Sequence, residues 1–225
     1  TTDIVELIEG APSLNPDGAC IDGWRTMVEA VDVHTIGLGG DSHVRVSSEN
    51  QLVIGPGRVI PLCKLASEYP DKVMGTLRAI CNSGKSDLDA TQFLISGRAE
   101  QSQLSQKDAT LLAKLDDGPL PLTTITGPAA YADPWISKRI QNLAETGLIL
   151  CAGFTPTDAL HVLKCFQEWD TEASLLAGKL LSTHLGLPTE VFCKQVVETV
   201  SRKTAAANAS KAITDQMGNS DWKQV

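Results

Sequence analysis

The sequence predicts a chain of the α/β or α+β class, and three observations carry that reading. Strand patterns crowd the first part of the chain, and helical patterns fill roughly its last fifty residues. The one interleaved unit, helix then helix then strand, lies near residues 105–155. A regular strand–helix alternation of the dinucleotide-binding kind is not what this order describes.

Each element has its own warrant. "DIVELIEG" is a short strand ending in a turn, and "APSLNPDGA" extends that turn with Asn-Pro and Asp-Gly steps. Residues 31–38 form the next strand, which runs into "HTIGLGGDSHVRV", a glycine-rich stretch at 34–46. "SHVRV" and "QLVIG" flank "SSEN" as a hairpin, because Val44 and Val46 alternate with Arg45. "GPGRVIP" is expected to break the sheet. Val73, Leu77 and Ile80 then recur at helical spacing within "SEYPDKVMGTLRAICN". "TQFLISG" is a strand, and "SQKDATLLAKLDDGP" is a helix with a capping Ser and a Gly-Pro stop. "PLPLTTITGPAAYADP" reads as loop, "WISKRIQNLAETG" as a helix closed by Gly147, and "LILCAG" as a strand. Thr155 caps a further helix with Pro156 in its first turn. Two more helices, "DTEASLLAGKLLSTHLG" and the long segment opened by Pro188, complete the chain.

Composition narrows the class of function. The 225 residues suffice for one large domain or two small ones, and 42% hydrophobic with 20% charged residues is ordinary for a globular protein. No apolar run approaches the ~18 residues that span a bilayer, so no membrane partner is expected. The N-terminus has no basic region followed by an apolar core, which argues against a secretory signal. Its lack of an initiator Met suggests a piece of a longer protein. Six scattered cysteines without a C-x-x-C pair read as reduced, mostly buried thiols of a cytoplasmic protein. A net charge of -8 disfavours a general nucleic-acid binder.

Three stretches have the means for chemistry. Gly37, Gly39 and Gly40 remove Cβ atoms, so the backbone either turns tightly or admits a ligand. Asp41 beside them repels phosphate but suits a metal or a water. In "GFTPTDALHVL", Thr155 and Thr157 place hydroxyls at a helix N-terminus. Asp158 and His161, three apart, share a helical face. They form half of a metal site, a carboxylate–imidazole pair, or simply a capped helix with a buried histidine. The unit at 105–155 resembles a winged helix with "WISKRIQNLAETG" as reading helix, although Lys138 and Arg139 against Glu145 give that helix only a thin positive charge.

Four of these stretches together resemble the hydantoinase/oxoprolinase family, in its ATP-using hydantoinase A-like subunit. They are "TTDIVELIEG", "HTIGLGGDSHVRV", "GPGRVIPL" and "AGFTPTDALHVL". The resemblance implies an α/β RNase H-like lobe of the actin/hexokinase/Hsp70 fold with a helical, winged-helix-like insertion. It places the sheet portion of the second ATPase lobe at 1–100, the insertion at 101–155 and the helical completion of the lobe at 156–225. Phosphate hairpins of that family read Asp-x-Gly-Gly-Thr-Thr-Thr-Asp, which makes Thr1, Thr2 and Asp3 the tail of one. The resemblance further implies nucleotide contacts from Thr1, Thr2, Asp3, Gly39, Gly40 and Ser42. Catalytic roles fall to Asp3, Asp41, Asp158 and His161, and a divalent metal such as Mg²⁺ to Asp158 and His161, with His34 as a further ligand. Cofactors are then ATP and Mg²⁺, and the substrate is a cyclic amide whose carbonyl is activated by phosphoryl transfer. Expected partners are an N-terminal lobe of the same protein and a hydantoinase B-like subunit, without which the chain alone is expected to be inactive. A winged-helix nucleic-acid-binding regulator and a catalytically silent actin-fold protein are the alternatives.

Overall fold

A computed structural model describes residues 2–21, 24–84, 88–99, 104–127 and 134–218. The chain is mixed α/β and divides into two compact units, one of Thr1–Gly39 with Thr199–Val225, the other of Gly40–Glu198. These divisions differ from those the family resemblance implies.

The first unit carries β1 (Thr2–Val5), β2 (Leu7–Ile8), β3 (Ala11–Pro12), β4 (Leu14–Asn15), β5 (Cys20–Ile21), β6 (Trp24–Arg25), β7 (Ala30–Val31) and β8 (Val33–Ile36). They pair antiparallel as nested ribbons, β1 with β8 and β4 with β7, with β2–β3 and β5–β6 as local hairpins. The strand expected over 31–38 is interrupted at Asp32, whose N–H donates to the Ser13 carbonyl at 2.8 Å.

The second unit opens with β9 (Ser42–Val46) and β10 (Leu52–Arg58), the expected hairpin. Here the sheet does not break at "GPGRVIP": β10 runs through it to Arg58 and absorbs a register shift between Ile54 and Arg58. β11 (Ile60–Pro61), α1 (Leu62–Glu68) and α2 (Pro70–Ser83) follow, then a 3₁₀ turn at Leu88–Thr91 and β12 (Phe93–Ser96). α3 (Gln106–Ala113) begins where expected, the Ser105 hydroxyl accepting from the Asp108 N–H at 3.2 Å. The segment expected as loop instead holds β13 (Leu120–Pro121) and α4 (Leu122–Thr126). α5 (Pro134–Glu145), β14 (Ile149–Gly153), α6 (Pro156–Val162), α7 (Thr171–His184) and α8 (Thr189–Gly218) complete the order, α8 crossing the division between Glu198 and Thr199.

The main sheet has the order β11-β14-β12-β13, with β11 parallel to β14 and the other pairs antiparallel. The strand after α5 is therefore a central strand of this sheet. Register places Leu94 opposite Cys151 and Phe93 opposite Ala152, so the two pairs lie on opposite faces. Leu94 and Ile149 pack with Leu111, Leu115, Ile140 and Leu143 from the α3 and α5 region. Phe93 and Ala152 are equally buried on the other face. α7 packs on α1, α2 and α6, and α1 also meets α2 and α6.

Candidate functional site

Asp158 holds the centre of the second unit. α6 starts with a capping box, in which the Thr155 hydroxyl accepts from the Asp158 N–H at 3.3 Å and the Asp158 carboxylate accepts from the Thr155 N–H at 2.9 Å. The same carboxylate reaches α1, a helix whose N-cap, Pro61, has no side-chain cap of its own. Its Oδ2 accepts from the Leu62 N–H at 3.2 Å and its Oδ1 from the Cys63 N–H at 2.8 Å. The hydroxyls of Thr155 and of Ser174, on α7, donate at 2.7 and 2.9 Å. Two helix N-termini, with their free amides and positive dipole ends, thus share one carboxylate. Five donors exhaust its lone pairs. Asp158 is fully buried.

His161 is also fully buried, and both of its nitrogens are engaged. Nδ1 lies 2.8 Å from the Thr157 carbonyl, and Nε2 accepts from the Trp169 N–H at 3.2 Å. A carbonyl can only accept and an N–H can only donate, so the proton sits on Nδ1. The ring stacks on Trp169 at 5.9 Å and meets the edge of Phe166 at 5.1 Å. Asp158 and His161 share a helix face, as their spacing requires, but turn to different partners and leave no lone pair for a metal. Among the described residues no group of three His, Cys, Asp or Glu side chains could hold one.

The glycine run meets this node directly. The Gly40 carbonyl accepts both the N–H and the hydroxyl of Thr157, at 3.0 and 2.8 Å. A Cβ on Gly40 would stand 2.9 Å from the Thr157 hydroxyl oxygen. The bare backbone therefore lets one strand end approach the first turn of α6. Asp41 accepts from the Arg58 Nε–H at 2.7 Å. Burial pushes the Asp41 carboxyl up, but the Arg58 hydrogen bond and charge outweigh it and hold it below its ordinary value. Ser42 is buried.

In the first unit, Asp3 and Thr35 are register partners, and the Thr35 hydroxyl donates to Asp3 Oδ1 at 2.7 Å. The Thr2 hydroxyl donates to the Leu38 carbonyl at 2.7 Å, beside the glycine run. His34 pairs with Ile4, one register position on, so it alternates away from the Asp3–Thr35 face. Gly39 ends this unit. Thr1 lies outside the described residues.

The buried thiols are inert. Burial, and then the charge of Asp158, pushes Cys63 above the usual thiol range and Cys193 up to about 12. Arg58, Ser174 and the amides of Leu62 and Cys63 are site groups that sequence reasoning missed. Only Arg58 left a sequence signal, as a cation in a Gly-rich stretch near an acidic one.

His43 is a further missed group. Burial, with the neighbouring Arg45 charge, lowers its pKa to about 4. Its folded value lies below the ordinary 6.5, so protonation favours unfolding. The corresponding stability is present above pH 6.5 and is lost as the pH falls toward 4. Urea unfolding at pH 7 and pH 4.5 should differ by about 2–3 kcal/mol more in the natural chain than in His43→Gln. Equal pH slopes in the two chains would refute the assignment.

In comparisons with known proteins, the chain matches no family model, no curated protein and no solved structure.

Proposed function

We propose that this chain is part of an ATP-dependent cyclic-amide hydrolase of the hydantoinase/oxoprolinase type, with the RNase H-like lobe architecture and the cytoplasmic setting which that reading brings. The observation that supports it best is a convergence. Three of the four stretches behind the family resemblance, far apart in sequence, are joined by hydrogen bonds, side chain to backbone at Gly40–Thr157 and Asp158–Leu62 and side chain to side chain at Asp41–Arg58. In this reading the second unit is scaffold, and Asp158 and His161 brace it. Asp3 is an exposed carboxylate whose rotamer the Thr35 hydroxyl fixes, and it would help to hold Mg²⁺. ATP would supply the phosphoryl group that turns an amide oxygen into a leaving group. Thr2, held by the Leu38 carbonyl, would orient the hairpin. A further lobe and a hydantoinase B-like subunit would complete the clamp.

Arg139 speaks against the regulator alternative, because it is spent within its own unit on Asp108 at 2.6 Å and on the Ser105 hydroxyl. The test is ATP hydrolysis by the natural protein with Mg²⁺ and, in turn, hydantoin, 5-oxoproline and a simple lactam. One of them should stimulate ADP release, and Asp3→Ala should lower the stimulated rate at least a hundredfold with an unchanged melting temperature. No stimulation by any of the three, or an active Asp3→Ala protein, overturns the reading. Salt-sensitive duplex binding weakened by Lys138→Ala would instead favour the regulator.

A further inference from the structure

The β9–β10 hairpin, the 3₁₀ turn and helices α4, α5 and α7 surround a pocket of about 540 Å³. That volume falls within the roughly 300–1,000 Å³ of small-molecule sites. Its apolar wall includes Val53, Leu122 and Leu181. Part of its polar lining comes from β9, where His43 and Arg45 stand two residues apart and so project from the same face of the strand. Val53 is the cross-strand partner of Arg45, which sets the apolar wall directly beside the guanidinium.

The polar pair is chemically idle. Among the described residues neither the His43 ring nor the Arg45 side chain has a hydrogen bond or an ion pair, although His43 is half-buried. A Cβ on Gly153 would stand 2.7 Å from His43 Nε2, so the ring is seated against that strand and does not swing freely. Asp89, the carboxylate that lines the same pocket, is already engaged by the Gln92 amide at 2.8 Å. Arg45, exposed at the pocket, thus keeps its guanidinium for a planar acceptor from outside the protein. A single guanidinium with a neutral imidazole matches a carboxylate in fork geometry. The two oxygens of a carboxylate ask for no donor beyond this pair.

We propose that the pocket binds a small organic carboxylate, its head on Arg45 and His43 and its apolar body along Val53, Leu122 and Leu181. The inference is independent of the ATP-dependent reading, since none of the residues assigned to that reaction lines the pocket. A series with one body and different heads tests it: 4-phenylbutyrate, 4-phenylbutanol, 4-phenylbutylamine and 4-phenylbutylphosphonate, titrated into the ¹⁵N-labelled chain at pH 7 and followed by amide shifts. The carboxylate should bind at least tenfold tighter than the alcohol and the amine, with shifts centred on residues 43–47 and 88–92. Arg45→Gln should bring the carboxylate down to the level of the alcohol. Equal binding of acid and alcohol, tighter binding of the phosphonate, an acid preference that survives Arg45→Gln, or shifts centred elsewhere would each overturn the proposal.

Discussion

Asp158→Asn should destabilise the second unit by about 3 kcal/mol, and Asp158→Ala by about 5 kcal/mol, even though no salt bridge is lost. The expectation follows from counting donors. Oδ2 accepts from Leu62, from the Thr155 N–H and from the Thr155 hydroxyl, while Oδ1 accepts from Cys63 and Ser174. An asparagine must put its NH₂ group in one of these places. The cheaper flip puts it at Oδ1, where the Ser174 hydroxyl can turn round but the Cys63 N–H is left facing another donor in a buried site. Alanine strands all five donors and removes the charge between two helix N-termini. Ser174→Ala removes a single hydroxyl and should cost only about 1 kcal/mol. Urea midpoints for the three variants should fall in that order. If Asp158→Asn melted like the natural chain while abolishing an activity, Asp158 would be a reaction group and not a brace. A typical domain has only about 5–15 kcal/mol in reserve, so the alanine variant should be at the edge of folding.

This node also shows what the sequence could and could not reveal. Thr155 and Pro156 were legible as a helix start because a cap and its amides are at most three residues apart. The face shared by Asp158 and His161 was legible for the same reason. Their partners were not. Periodicity tells which face a side chain leaves, and says nothing of the amides at Leu62 and Cys63, 96 and 95 residues away. The start of α1 went unread for the mirror-image reason. No Ser, Thr, Asp or Asn precedes Leu62, because its cap comes from another helix. "GPGRVIP" accordingly looked like a break when it carries the end of a strand into a helix. The glycine run presented two readings, a turn or a close approach. The approach at Gly40 is to the protein's own Thr157, which no local pattern encodes. His43 and Arg45 did leave a trace, as the polar half of an alternating strand. Alternation marks such a face as outward, and only the fold shows that a pocket lies there.

Gly97→Ala and Gly75→Ala should move stability in opposite directions, the first down by about 4 kcal/mol and the second up by about 1 kcal/mol. At Gly97 an added Cβ would stand 1.9 Å from the Gly147 carbonyl oxygen, 2.8 Å from its carbon and 2.9 Å from the Leu148 carbonyl carbon. These are backbone atoms, so no rotamer relieves the clash. The neighbours cannot drift away, because Gly97 donates to the Leu148 carbonyl at 2.8 Å and Gly147, with φ at 73°, closes α5. Making room means prising the end of β12 from the start of β14, and Leu148 and Ile149, next along, belong to the core that α5 covers. Gly75 sits inside α2 with nothing within 4 Å of its missing Cβ. There the substitution only removes chain entropy from the unfolded state and improves helix propensity. Composition treats the two glycines alike, and a general intolerance of the chain to added methyl groups would lower both melting temperatures. Opposite shifts in the two single variants, measured by thermal or urea unfolding, would tie the difference to the Gly97–Gly147 crossing. A stable Gly97→Ala protein would mean that β12 and β14 do not meet there in this register.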